Sequence, residues 1–217
     1  MVRALTHRGP DEFGMYRDRD VALGHTRLSI VDLASGQQPL ANEDETVWVV
    51  FNGEVFNHVE LRAELEPLGH RFRTRSDTEV IVHAWEQWGE ACFERFNGQW
   101  AIALWDSVNH ELILCRDRVG VRPLFVQQGH GRLRFASEVK SLFADPEVPR
   151  ALDPRGLDET FTFWASRPPT SVFAGVEELP PGVVRRVRAD GETTDRVYWQ
   201  PSYPEDPRPS DRMPLAD

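Results

Sequence analysis

A layered α+β fold is what this 217-residue sequence predicts. Three observations carry it. Helical patterns in the first half give way to strands in the second. The strand at residues 100–105, WAIALW, is apolar on both faces and must be covered on both sides. Short turn-rich segments separate the later strands, as hairpins require. A sheet-on-sheet core with helices outside satisfies this pattern, and so do other α+β arrangements.

Each element follows from local chemistry. Residues 20–31, DVALGHTRLSIV, read as a strand and then an irregular stretch. Residues 47–51, VWVVF, are a strand by their β-branched and aromatic content. Residues 58–68, HVELRAELEPL, form a short helix stopped by Gly69. Residues 70–73 make a short strand. A helix spans 77–88: Ser76 or Asp77 can cap it, and Val80, Ile81, Ala84, Trp85 and Trp88 share one face. A second helical piece, 90–96, ends before Asn97-Gly98. After a turn at 106–110, residues 112–115 return as the partner of 100–105. A turn at 116–120 leads to a hairpin of 123–127 with 133–136 around Gly129-His130-Gly131. Short helices follow at 139–143 and from Asp153 to about Phe161. A final hairpin pairs 183–188 with 196–199. Beyond Gln200 the chain reads PSYPEDPRPSDRMPLAD, five prolines among scattered charges, the composition of a linker or tail.

Composition narrows the function classes. Hydrophobic content of 40% and charged content of 28% suit a globular protein with one sizeable core. The net charge of −10 argues against a nucleic-acid partner. No apolar run reaches the length of a membrane span, and MVRALTHRGPDE has no signal-peptide core. Two cysteines do not make a disulfide framework, which favours a reducing, cytoplasmic setting. Lys140 is the only lysine, and the excess of arginine reads as genomic base-composition bias. The seven histidines show no metal-ligand spacing with cysteine, so no metal is expected in this chain. No phosphate-binding loop of the GxxxxGK[ST] or SGGxDS kind occurs. Cys92 and Cys115 read as buried structural thiols, and the seven tryptophans as core.

Four polar clusters carry candidate chemistry, each with an ordinary reading beside it. His7-Arg8-Gly9-Pro10-Asp11 is turn chemistry. Arg27 is a surface charge or structural ion pair, or the bidentate grip for a carboxylate. Asn52-Gly53-Glu54 is a hairpin turn, or a carboxamide and a backbone N–H that hold an oxyanion. Asp77, in Arg75-Ser76-Asp77-Thr78-Glu79, is a helix cap, or the partner of an ammonium group. Together they describe a pocket that grips an amino acid by its head, with an oxyanion site over its side-chain amide.

The ordered run HRGPDEFG, ALGHTRLSIVDLASGQQPL, FNGEVFNHVELRAEL, HRFRTRSDTEVIVHAWEQWG, FNGQWAIALWD, CRDRVGVRPLF and FASEVKSL resembles the class-II glutamine amidotransferase domain of asparagine synthetase (glutamine-hydrolysing). The resemblance spans about residues 7–199. It implies a glutaminase domain over 1–199 and a linker or tail over 200–217. It implies the N-terminal-nucleophile hydrolase fold, a four-layer αββα sandwich of antiparallel sheets, here with its first strand missing. It implies hydrolysis of glutamine to glutamate and ammonia. By position, Arg27 would hold the α-carboxylate and Asp77 the α-amino group. Asn52 and Gly53 would form the oxyanion hole, and Glu54, Ile30 and Val31 would line the pocket. No cofactor is implied for this chain. ATP and magnesium belong to a C-terminal synthetase domain, in cis or in trans, where ammonia amidates aspartate. The other implied partners are glutamine and a second copy in a homodimer, with no nucleic acid and no membrane.

The sequence departs from this family at both ends. The family's nucleophile is an N-terminal cysteine exposed by removal of Met, whereas this sequence starts Met1-Val2 and aligns from an internal position. The synthetase domain is also absent. Three explanations stand: a fragment or internally started gene, a pseudo-glutaminase that binds glutamine or docks a partner, or a repurposed structural module. The intact pocket set favours the first. On each, the chain as written is expected to be inactive toward glutamine.

Overall fold

The computed structural model describes residues 1–29, 32 and 35–203. In chain order, a 3₁₀ turn (Val2–Leu5) leads to β1 (Glu12–Arg17) and β2 (Ala22–Arg27), which form a two-stranded sheet. Next come β3 (Leu40–Ala41), β4 (Val47–Val55), α1 (His58–Leu65), α2 (Asp77–Trp88) and α3 (Cys92–Arg95). β5 (Gly98–Asp106) and β6 (Glu111–Arg116) follow, then β7 (Phe125–Gly129), β8 (Arg132–Ala136), α4 (Val139–Leu142) and α5 (Pro154–Phe163). The last strands are β9 (Val176–Glu178), β10 (Val183–Arg188) and β11 (Thr193–Val197). Six strands make one antiparallel sheet in the order β11-β10-β6-β5-β4-β3, and β8-β7-β9 make a smaller one.

The layers follow from the alternation of β4 and β5. Val49, Phe51 and Val55 turn toward α1 and α2, where Leu61, Leu65, Ile81, Ala84 and Trp100 complete one core. Val50, Ala101, Ala103 and Trp105 turn the other way, against Leu23 of β2 and Val126 of β7. A third cluster, Ala136, Leu142, Val148 and Val176, joins α4 to the smaller sheet. Helix, sheet, sheet and helix thus stack in the expected αββα order, with the second sheet layer in two pieces. No helix of the described residues is long and apolar enough to cross a membrane.

Most expected elements form, and the differences have local causes. The strand expected at 47–51 continues to Val55, so Asn52-Gly53 lies inside β4 and makes no hairpin turn. Residues 70–73 form no strand: His70 N donates back to the Leu65 carbonyl (3.4 Å), and two further N–H groups go to side chains. Arg71 N donates to Glu43 Oε1 (3.3 Å) and Arg73 N to Glu79 Oε1 (2.7 Å). Ser76 is the N-cap of α2, accepting from Thr78 N at 3.2 Å. Helix α2 is buried nearly all round, wider than the single face its pattern suggested. The last hairpin pairs β10 with 193–197, earlier than expected. Trp164, expected in the core, is 93% exposed beyond α5. β1, β3 and β9 had no sequence signal. Of the proline-rich tail, residues 204–217 lie outside the described residues.

Two charged side chains organise the CRDRVGVRPLF segment. Asp117, fully buried, accepts from the N–H groups of Trp100, Val119, Val121 and Arg122 at 3.0–3.2 Å. Arg116 donates to the carbonyls of Arg122, Leu179 and Gly120 (2.7–2.8 Å) and pairs with Glu178 at 2.7 Å. A buried charge stays folded only with this kind of full partnership.

Glu138, the N-cap residue of α4, holds the N-terminal segment. It pairs with His7 (2.9 Å), Arg8 (3.2 Å) and Lys140 (2.9 Å). Burial works against its charge, but hydrogen bonds from Lys140, His7 and Arg8 outweigh it and hold its pKa down at about 2. A depressed carboxylate contributes stability that is present above the ordinary 4.5 and is lost as pH falls toward 2. Glu138→Gln is therefore expected to cost about 0.5–1 kcal/mol at neutral pH, after discounting for solvent exposure. In urea titrations its gap from wild type should close between pH 4.5 and 2. A gap that stays constant through that range would contradict this account.

Candidate active site

The register of β4 on β5 sets the site. Gly53 lies opposite Trp100. Trp100 N–H donates to Asp117 Oδ2 (3.2 Å), and its carbonyl accepts from Asp117 N (2.9 Å). Both of its backbone groups thus face β6, and Gly53–Trp100 is a non-hydrogen-bonded pair. Phe51, Gly53 and Val55 therefore present their N–H groups along the free side of β4, beyond the two residues of β3. Phe51 N donates to Gln38 Oε1 (2.6 Å), and Val55 N donates to Asp77 Oδ2 (3.0 Å). Between them, the Gly53 N–H opens onto a cavity.

That cavity has a volume of about 290 Å³, within the lower range of small-ligand sites. Its walls come from the end of β2 (His25, Arg27), the edge of β4 (Asn52, Gly53, Glu54) and the start of α2 (Ser76, Asp77). Arg8, Gln38 and Arg122 close it. A larger hollow of about 560 Å³ lies elsewhere, beside Glu90, Glu111 and Arg186. There Arg186 is already paired with Glu90 and Glu111, each at 2.6 Å, so its charges are matched internally.

The smaller cavity is lined by residues that carry buried polar atoms without partners. Among the described residues, Asn52 Nδ2, His25 Nδ1 and Arg122 Nε have no hydrogen bond. Unmet polar atoms in a buried place are costly, so a ligand or water belongs there. His25 Nε2 lies 3.1 Å from the Phe51 carbonyl, which can only accept. The proton is therefore on Nε2, and Nδ1 offers a lone pair. Burial is the chief reason that the His25 pKa falls to about 4, so the ring is neutral near pH 7.

The charged walls are held from behind. Arg27 is 5% exposed and donates to Glu12 Oε2 (3.0 Å) and to the Asp32 carbonyl (2.5 Å). A Cβ on Gly36 would lie 2.6 Å from its Nη2, so glycine leaves room for the guanidinium. The hydrogen bond from Arg27 is the main reason the Glu12 pKa is lowered. Asp77 opens α2, where the helix dipole favours an anion. Burial still raises its pKa, against the Val55 hydrogen bond, so a cation beside it would restore its charge.

Arg27, Asn52, Gly53, Glu54 and Asp77, distant in sequence, thus line one cavity. Ile30 and Val31 lie outside the described residues. Sequence reasoning did not single out His25, Gln38 and Arg122, and it read Arg8 as part of a turn. His25 had a signal, since it stands two residues before Arg27 on the same strand. Gln38 and Arg122 had none, because their placement depends on loop closure. Both cysteines are buried in the helix-side core and line no part of the cavity. Burial raises the pKa of both thiols.

Gly53 has φ +153°, and a Cβ there would lie 2.0 Å from the Gln99 carbonyl oxygen. Gly53→Ala is expected to cost more than about 1 kcal/mol, read as a lower urea midpoint with an unchanged slope. An unaltered midpoint would show that β4 can move off β5 at this point.

The family described as glutamine amidotransferase domain matches residues 1–199. The chain is 38% identical over 202 residues to asparagine synthetase [glutamine-hydrolyzing] 3 of Bacillus subtilis, covering 92% of this chain and 33% of that protein. It is 37% identical to synthetase 1 of the same organism, over 94% of this chain and 32% of that one. Against asparagine synthetase [glutamine-hydrolyzing] 3 of Arabidopsis thaliana it is 46% identical over 148 residues, 68% of this chain and 25% of that one. The chain spans about a third of the length of the Bacillus relatives. Among solved structures, it superposes on the glutamine phosphoribosylpyrophosphate amidotransferase of B. subtilis with a TM-score of 0.58. That match has 21% identity and covers 83% of this chain and 35% of the other. The allosteric regulatory enzyme of purine biosynthesis gives a TM-score of 0.57 at the same identity. At these identities the likeness is one of fold, the N-terminal-nucleophile type of glutamine amidotransferases.

Proposed function

The chain belongs to the glutamine amidotransferase domain family, and on that premise we propose that its cavity holds glutamine as the glutaminase part of an asparagine-synthesising system. The observation that carries this reading is the pair of open donors, Asn52 Nδ2 and the Gly53 N–H, side by side on β4. Two neighbouring donors suit the oxygen of an amide carbonyl as it becomes an oxyanion. Arg27 takes the α-carboxylate, and Asp77 takes the α-ammonium group. Glu54, on the same face of β4 as Asn52, lines the side-chain end.

Hydrolysis needs a nucleophile at the amide carbon. Cys92 and Cys115 are enclosed in the core with raised pKa values, and thiolate is the reactive form. The 217-residue chain alone therefore binds glutamine without cleaving it. Ammonia, where a thiol is supplied, passes to a synthetase partner that uses ATP and magnesium. Phe161 and Trp164, 86% and 93% exposed at the end of α5, suit the surface of such a partner.

Calorimetry should detect glutamine binding by wild type. Arg27→Ala should weaken it about 10- to 100-fold, the loss of a charge-assisted pair. No heat from wild type would overturn the glutamine reading, and glutamate release by this chain would overturn the inactivity.

The oxyanion role separates from binding once a nucleophile is added. In a chain joined ahead of Met1 to a relative's segment beginning with cysteine, Asn52→Ala should lower kcat by about 10²–10³-fold. KM should change little, because the donor acts on the transition state. A rise in KM at constant kcat would instead make Asn52 a binding residue.

A further inference from the structure

Farther along α2, away from the residues that line the cavity, two histidines and two glutamates converge. Glu43 comes from the turn before β4, His70 from the segment after Gly69, and His83 and Glu86 from α2, one turn apart. The donor atoms of the four lie within 4.8 Å of one another. We propose that Glu43, His70, His83 and Glu86 bind one divalent transition-metal ion, zinc foremost, which ties α2 to the segments on either side of it.

The distances fit. His83 Nδ1 lies 3.1 Å from Glu43 Oε2 and 3.2 Å from Glu86 Oε2, and His70 Nδ1 lies 3.7 Å from Glu86 Oε2. Donors about 2.0–2.1 Å from a tetrahedral zinc stand about 3.4 Å apart. Two carboxylates and two neutral imidazoles balance a 2+ charge. Nitrogen and oxygen donors without thiolate suit zinc and its divalent neighbours.

Three of the four ligands are also tethered by their other end, as metal ligands are. His70 Nε2 lies 3.2 Å from Gln87 Oε1. His83 Nε2 makes no hydrogen bond, its nearest acceptor being Glu79 Oε1 at 3.7 Å. Glu79 is itself fixed by the N–H groups of Arg73 and Thr74, each at 2.7 Å. Glu86 Oε1 accepts from Asn42 Nδ2 (2.7 Å), and Glu43 Oε1 accepts from Arg71 N (3.3 Å). One oxygen or nitrogen of each residue is thus left for the centre.

The competing occupant is a proton on His83. That ring is fully buried. Burial works against its charge, but Glu79, Glu86 and Glu43 outweigh it and push its pKa up to about 9. A proton on Nδ1 satisfies one acceptor, the Glu86 oxygen. It leaves Glu43 Oε2 buried with no hydrogen bond. An ion satisfies all four. No cysteine-based spacing marks this set, which spans Glu43 to Glu86, and the sequence-based expectation of no metal does not account for it.

The test uses the 217-residue chain stripped with EDTA, then titrated with Zn²⁺ or Co²⁺ alone. One equivalent of zinc should survive gel filtration, and Co²⁺ should give the visible bands of a tetrahedral site. His70→Ala and Glu43→Gln, both at partly exposed positions, should each weaken zinc at least about tenfold and abolish those bands, with circular dichroism unchanged. Wild type that retains less than a tenth of an equivalent would leave the proton as occupant and overturn the proposal. So would zinc retention that is the same in wild type and both variants. Neither outcome bears on glutamine binding.

Discussion

The pairing of Asp117 with the backbone of Trp100 is the constraint on which the site depends. It turns both polar groups of Trp100 toward β6. β4, on the other side of β5, must then aim alternate N–H groups at its open edge. Three of them, from Phe51, Gly53 and Val55, meet a glutamine side chain, a cavity and a carboxylate in turn. An ordinary ladder would have satisfied the middle one. The short β3 leaves it free, and Gly53 permits the close approach of the Gln99 carbonyl that the register demands.

The charges around the cavity follow the same logic of support from behind. Arg27 and Asp77 are both buried, a state that isolated charges do not survive. Glu12 backs the first, and the Val55 N–H with the dipole of α2 backs the second. The residual cost appears as the raised pKa of Asp77, which an ammonium group would relieve. His25, two residues from Arg27 on β2, is neutral because it is buried and adds a lone pair without adding charge. Helix α2 links the two ends of the story: its first residue is Asp77, and its second turn carries His83.

Much of this was readable from local chemistry. The covered strand at 100–105, the capped helix at 77–88 and the hairpins around 110 and 130 all formed as their patterns indicated. Burial on both faces, capping and turn residues leave a direct trace in neighbouring positions. Asn52-Gly53 misled on its own, because the commonest turn dipeptide is also what a strand uses where a neighbour's backbone comes close. Residues 70–73 misled because alternation says nothing about which partner takes the N–H groups. Here the side chains of Glu43 and Glu79 took two of them. The order of motifs, more than any one of them, placed the chain in its family.

By itself, the sequence determined the layered α+β class, the five candidate residues now seen around one cavity, and the absence of a thiol among them. It did so because residue type and spacing decide what chemistry is on offer. Only the tertiary structure decided which of those groups meet. The direction of the Gly53 N–H depends on a carboxylate 64 positions later in the chain, at Asp117 (117 − 53), through the register of β5. The tautomer of His25 depends on the Phe51 carbonyl, and the convergence of Glu43, His70, His83 and Glu86 depends on how three segments pack around α2. Each is a contact between positions far apart in the chain, and no local pattern encodes it.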